Sequence, residues 1–484
     1  MNSFELSKNG NRLVITLCVL ISFFIFYCFY SDKLIYLIAI PIFFYSSFAV
    51  IKPDFIWFSI AFLTPLSINP WDVDLGKLSL ALPTEPLFVL LIVLFASQLV
   101  LKKEMSKEIF SHPFSILIYL YLGWMLVTSV TSVDKLVSIK FFISKFWFIV
   151  PGYFLTYYYF IDRKKIITFY TLIIVAMVIV CSYNIIHLMT YGFEDKPSQW
   201  TMQPFFKSHA VLGAVIAMCI PINLGLVSYN RGKAVKQLGF ILIFTILTIC
   251  LIVTYSRAAW LSVIPSMLMY IALRLRFPFK ALMTFAIVGI LALLFNIESV
   301  IRNLETNKIA SSDDLVENVE SISNISSDAS NLERINRWAC AIDMWKAKPI
   351  FGFGPGTYMT EYAPFQLSGN YTEISTNSGD VGNSHSEYLG PLSEQGLLGG
   401  LLFIAIMFFC IYYSFNTYYN ATEKMDKIII SSVGCGLISY LTHGFLNNFL
   451  DMDKAAIPFW TMICVLVVYD IKQRGITQNK LNTQ

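Results

Sequence analysis

The sequence predicts an all-α polytopic integral membrane protein, with about 12–14 transmembrane helices and one large extramembrane loop. Three observations carry this reading. Of 484 residues, 56% are hydrophobic and only 14% are charged, against roughly 25% charged in a soluble domain. Mean hydropathy is +0.64. Apolar runs long enough to cross a ~30 Å hydrocarbon core recur along the chain, and a single long polar stretch, 298–395, interrupts them.

The spans fall near 12–30, 33–51, 54–70, 84–101, 113–131, 139–160, 166–191, 209–228, 236–256, 258–274, 279–297, 396–416, 427–449 and 455–471. No cleavable signal peptide is evident. The first apolar run, Leu13–Tyr30, is followed at once by another and reads as a transmembrane helix. The third holds Pro65 and ends in Ser67-Ile68-Asn69-Pro70, so it is a candidate re-entrant segment that would lower the count. The chain then divides into N-terminal helices (1–297), a loop (298–395), C-terminal helices (396–471) and a tail (472–484).

Lysine and arginine in the short loops set the orientation. One side collects Lys102, Lys103 and Lys107; Arg163, Lys164 and Lys165; Arg231, Lys233 and Lys236; Arg274, Arg276 and Lys280; and Lys424 and Lys427. Lys8, Arg12, Lys472, Arg474 and Lys480 at the ends share that side. Both termini are therefore expected in the cytoplasm, and the 298–395 loop outside, in the periplasm of a cell with two membranes. Eight of nine cysteines lie in spans and read as small packing residues; only Cys340 is in the loop, which leaves it no internal disulfide. No CxxC or HExxH pattern argues for a metal, and no Gly-rich phosphate loop argues for a nucleotide. Neither a cofactor nor a nucleic-acid partner is expected.

The loop has two halves. Residues 303–331 are rich in Ser, Asn, Asp and Glu and read as a loosely structured stretch. From Leu332 an amphipathic helix is expected, with Leu332, Ile335, Ala339, Ile342 and Trp345 on its apolar face, and Arg334, Arg337 and Ala341 on another stripe. It ends near Lys348-Pro349, before the turn-rich Phe351-Gly352-Phe353-Gly354-Pro355-Gly356. The loop closes on Val381-Gly382-Asn383-Ser384-His385-Ser386-Glu387-Tyr388, where an aqueous segment meets the membrane.

The candidate site residues are cations and histidines at outer helix ends. Arg257 stands between two spans joined by almost no loop, and Lys207 and His209 stand at the mouth of the preceding pair. Ionisable groups at membrane depth are usually paired or functional. Several cations suit an anionic ligand, and the planar arginine fork suits phosphate. His385 is the candidate base. Glu387, Tyr388, Glu394, Lys145 and Arg334 are supporting candidates, with Glu387 or Glu394 expected to fix the imidazole tautomer. Five have a plainer reading: Arg257 as an interfacial anchor, Lys207 as a loop lysine, His385 as a capping or core histidine, Glu394 as a helix cap, and Lys145 as a snorkelling lysine.

Four strings carry a resemblance. They are Arg337-Trp338, Lys348 through Tyr358, Asn383-Ser384-His385-Ser386-Glu387-Tyr388-Leu389, and Glu394-Gln395-Gly396-Leu397-Leu398-Gly399. Together they resemble the O-antigen ligase and polymerase superfamily, and Thr254–Trp260 is similar to that family's arginine motif. The Lys207-Ser208-His209 and Asn383–Tyr388 versions look most like Bacteroidetes ligase members, although the family often has arginine near the position of Lys207. The resemblance implies a GT-C-like glycosyltransferase of the inner membrane with its active site on the periplasmic face. It implies an undecaprenyl-diphosphate-linked glycan donor and a lipid A–core or other glycan acceptor, with no metal. It implies Arg257, Lys207, Arg337 and His209 on the diphosphate, His385 on the acceptor hydroxyl, and inversion at the anomeric carbon. Ligases, polymerases and protein O-oligosaccharyltransferases share these motifs. A lipid-linked sugar flippase is the reading from another class, and it would call for internal repeats, of which the sequence shows none clearly.

Overall fold

The computed structural model describes residues 52–69, 81–101, 107–285, 288, 329–366 and 382–481. The expected spans at 12–30 and 33–51, most of 279–297 and nearly all of the Ser/Asp-rich half of the loop lie outside these residues. Contacts divide the chain into two compact units, Met1–Ser59 and Ile60–Gln484. Of the first, only 52–59 are described, the start of α1 (Pro53–Leu63).

The second unit is all-α. Its helices are α2 (Thr84–Leu101), α3 (Pro113–Val130), α4 (Lys135–Phe160), α5 (Arg163–Met189), α6 (His209–Tyr229), α7 (Ala234–Val253), α8 (Arg257–Arg274), α9 (Ala329–Ala347), α10 (Leu389–Asn420), α11 (Lys424–His443) and α12 (Asp453–Leu481). Among the described residues, eight helices are long and apolar enough to cross a membrane: α3 to α7 and α10 to α12. The protein is an all-α polytopic membrane protein.

Local chemistry starts these helices where the sequence places them. His112 caps α3, its Nδ1 accepting from the Phe114 amide, with Pro113 at the first helical position. Asp134 caps α4 through the amides of Leu136 and Val137, and Asp162 caps α5 through Lys164. Pro151 has no amide hydrogen to give, and α4 widens into a π-helical stretch at Val150–Leu155. That stretch packs against α12, which is almost wholly buried. α6, α8 and α11 pack on one another, while α7 touches mainly α5 and α6 and stays largely exposed. α1 is about 16 Å long, half a hydrocarbon core. After it the chain turns at Thr64–Leu66 and Ile68 pairs with Leu82 (2.9 and 2.8 Å), the one β-bridge among the described residues. Lys454 donates to the Ser67 carbonyl (2.6 Å), and Asp453 accepts from Ser67 Oγ (2.7 Å) and Thr84 Oγ1 (2.5 Å). The short turn is thereby fixed to the start of α12.

Three expectations need correction. The buried face of α9 is Glu333, Asn336, Arg337, Cys340, Ala341 and Met344, while Ile342 of the expected apolar face is exposed. The charged stripe turns inward because Arg337 and Glu333 neutralise each other there (2.6 Å), and Cys340, Ala341 and Met344 pack with Phe353, Tyr358 and Tyr362. The helix expected from 396 begins at Leu389, with Gly396 as a kink (φ 70°, ψ −170°) between a leading turn and the long remainder. The last helix runs past 471 to Leu481, tied by Gln473 to the Thr417 carbonyl (2.9 Å) and by Arg474 to Asp470 (2.5 Å).

Gly396 is required twice over. Its φ is left-handed, and a Cβ would stand 2.1 Å from the Ile350 carbonyl oxygen. Gly396→Ala is expected to lower the melting temperature of the purified protein sharply. Gly239→Ala, where a Cβ meets nothing within 4 Å, is expected to be neutral or slightly stabilising. Equal melting temperatures for the two variants would refute the role of the kink.

Candidate functional site

The ends of α6, α8 and α11 that carry His209, Arg257 and His443 meet the start of α9 and the loop before α10. A tight link joins α7 to α8, with Tyr255 in the left-handed region (φ 51°) and its hydroxyl on the Phe193 carbonyl (2.6 Å). This link puts Arg257 in the first turn of α8. Arg334, on α9, donates from Nε to the Leu446 carbonyl (3.3 Å). Burial, and then the charge of Arg257, push Arg334 down to about 10. The charges of both arginines reach His209 at the start of α6, and that of Arg334 reaches His443 at the end of α11.

His385 completes this cluster. Its backbone is left-handed (φ 48°), a conformation uncommon outside glycine. The Asn383 side chain accepts its amide (3.0 Å) and the Trp338 indole donates to its carbonyl (3.3 Å). The Asn447 side chain hydrogen-bonds its ring. Burial pushes the imidazole down to about 4, with Arg334 and Arg337 adding to the effect. The ring is therefore neutral over the physiological range, and the ordinary value near 6.5 does not apply.

The carboxylates do other work than the sequence suggests. Glu387 Oε1 accepts from the Tyr440 hydroxyl (2.6 Å) and from the amides of Phe449 (2.7 Å) and Leu450 (2.9 Å), so it holds the 444–450 turn rather than the imidazole. Burial raises its pKa, with Lys145 opposing. Glu394 accepts from the Tyr358 amide (3.0 Å), and its own carbonyl accepts from Gly354 (2.8 Å), so it fixes the Gly-rich turn. Tyr388 stacks on Phe445 (4.3 Å) and donates to the Leu441 carbonyl (2.9 Å). Lys145 is buried against Asp451 (2.5 Å). Arg337 lies against Glu333 and over the Tyr362 ring (4.0 Å), and a Cβ on Gly382 would collide with its Nη1. Lys207 is exposed in the turn before α6.

The structure thus brings together Arg257, Arg334, His209 and His385. It adds His443 and Asn447, which sequence reasoning did not select. Both ring nitrogens of His443 are buried without a hydrogen-bond partner, as are Asn447 Nδ2, Asn448 Oδ1 and His209 Nδ1. The signal was a polar run, His443 with Asn447-Asn448, between two apolar spans. Among the described residues, no three His, Cys, Asp or Glu side chains converge as metal ligands would.

Fold and site define a multi-pass membrane protein with a cationic, histidine-bearing cluster where a large loop meets its helices. Residues 241–404, about a third of the chain, match the family model described as O-antigen ligase, which supports membership of the O-antigen ligase superfamily. The general activity of that superfamily is glycosyltransferase-like, of the O-antigen ligase or polymerase type. Comparison with curated proteins gives no match.

The role of Glu387 is testable apart from catalysis. Glu387→Ala strands the buried Leu450 amide and the Tyr440 hydroxyl, at ~1–3 kcal/mol each, and leaves the Phe449 amide only its longer bond to that hydroxyl (3.1 Å), so the protein is expected to lose thermal stability and yield. Glu387→Gln keeps an acceptor oxygen and should recover most of both. An unaltered melting curve for Glu387→Ala would remove the carboxylate from the architecture.

Proposed function

We propose that this protein transfers a glycan from an undecaprenyl-diphosphate donor to lipid A–core oligosaccharide, on the periplasmic face of the bacterial inner membrane. The clustering of Arg257 and Arg334 with His209, His385 and His443 carries the reading. Arg334, buried and bearing the charge of Arg257, favours an anion between the two guanidinium groups. A diphosphate offers enough oxygens for two planar forks.

In this mechanism the acceptor oxygen bonds the anomeric carbon as the bond to the diphosphate oxygen breaks. Attack from the opposite side inverts the centre. Arg257 and Arg334 take the charge that develops on the departing diphosphate. Arg337, held by Glu333, contributes its field, and Lys207 meets the anion from outside. His385 accepts the acceptor proton. Asn447 Nδ2 has no partner, which assigns Oδ1 to the imidazole N–H and leaves the other ring nitrogen as the base. His443, Asn447 and Asn448 offer the acceptor sugar its remaining hydrogen bonds. The same chemistry serves a polymerase or a protein O-oligosaccharyltransferase, with another acceptor. A deletion strain separates the first two: ligase loss leaves lipid-linked polymer and bare core, and polymerase loss leaves one repeat on the core.

The test is a transfer assay on purified protein with lipid-linked donor. Arg257→Lys keeps the charge and loses the fork, so it should lower turnover at least tenfold with normal membrane insertion. His385→Ala should lower it by ~10²–10⁴ while donor binding persists. Near-normal turnover in Arg257→Ala or in His385→Ala would sink the corresponding assignment.

The pH dependence follows from the site's charges. A base works only when neutral, so activity falls as pH drops through its pKa. In the free enzyme that value is about 4, so the acidic limb of kcat/KM should lie well below pH 6. Bound diphosphate offsets the arginines and favours the imidazolium, so the limb of kcat should lie at higher pH. Limbs coinciding near 6.5 in both profiles would show that a different group titrates.

A further inference from the structure

The end of the helices opposite the arginine–histidine cluster holds a cleft of about 530 Å³ between α6, α8 and α11. It starts at Arg274, the last residue of α8, and at Lys424 and Lys427 in the first turn of α11. It continues inward to Val263 and Cys435. Along either helix that depth is about 16 Å at 1.5 Å per residue, half of a ~30 Å hydrocarbon core. Its walls are mostly apolar, and among the described residues no carboxylate lines it. Asp426, between the two lysines in sequence, is turned to the other side of α11. There it meets Arg163 (3.0 Å), Lys472 (3.6 Å) and the Tyr469 hydroxyl (3.0 Å). Glu423 likewise faces Arg163 (2.7 Å).

The cleft therefore combines three features: depth for one leaflet, an apolar interior, and cations at the mouth with the nearby acids directed elsewhere. We propose that it binds one anionic phospholipid, the phosphate among Arg274, Lys424 and Lys427 and an acyl chain between α6 and α8. Cations at this end also set membrane orientation, but orientation needs no cleft and no segregation of acids. A free phosphate would leave the apolar interior unfilled. A polyprenyl chain is longer than a leaflet is deep and would overrun it.

Native mass spectrometry of the full-length protein, with equimolar phosphatidylglycerol and phosphatidylethanolamine, tests this. One phospholipid should be retained, with phosphatidylglycerol preferred. The combined variant Arg274→Gln, Lys424→Gln, Lys427→Gln should lose that preference about tenfold. Lys233→Gln with Lys236→Gln, on exposed cations outside the cleft, should leave it unchanged. Val263→Phe, which fills the inner end, should weaken retention of both lipids with the cations intact. The proposal is overturned if the triple variant keeps its preference, if the Lys233/Lys236 variant loses it equally, or if undecaprenyl phosphate displaces phosphatidylglycerol at equal concentration.

Discussion

The Glu387 carboxylate decides where the site residues stand. The turn between α11 and α12 presents the amides of Phe449 and Leu450 inside the protein, and one oxygen of Glu387 takes both together with the Tyr440 hydroxyl. Backbone groups without water must find partners within the chain. The Glu387 amide returns a bond to the Gly444 carbonyl (2.8 Å). His385 is thereby fixed two residues before an anchored point. Arg334 reaches the same turn through Leu446, and Asn447 reaches the imidazole from it. Two separate parts of the chain, the 385–387 segment and α9, meet on one turn of seven residues.

Charge inside the protein is sorted by the company it keeps. Arg337 has Glu333, Lys145 has Asp451, and Lys454 has Ser67. In each case an acid or oxygen acceptor lies within hydrogen-bond distance, and the pair joins segments of the fold. Arg334 donates to the Leu446 carbonyl and also bears the charge of Arg257, while Arg257 feels the opposite charge of Asp195. A protein can bear such repulsion where an anionic ligand relieves it.

Much of this was readable in the chain. Long apolar runs located the spans, because a bilayer leaves a helix no other way to satisfy its backbone. Arg257 and His385 stood out by being polar at span ends. What escaped were properties of pairing. The inward face of α9 could not be read from hydrophobicity, since its arginine is buried with its own partner glutamate. Glu387 and Glu394 look like companions of the histidine in sequence, yet each serves a backbone distant in the chain. His443 ends α11 and Asn447 lies in the short link after it, with no motif to mark either, and only folding carries them to His385.

The contrast between α7 and α12 has a consequence for how the chain can vary. Among the described residues, much of α7 is exposed beyond its contacts with α5 and α6, so on that exposed face almost any apolar residue serves and the helix can drift among Leu, Ile, Val and Phe. α12 is enclosed by α4, α10 and α11, and each of its side chains must match a shape made by others. Two spans of similar hydropathy therefore bear unequal loads of information. The first preserves a composition, and the second preserves an order of residues.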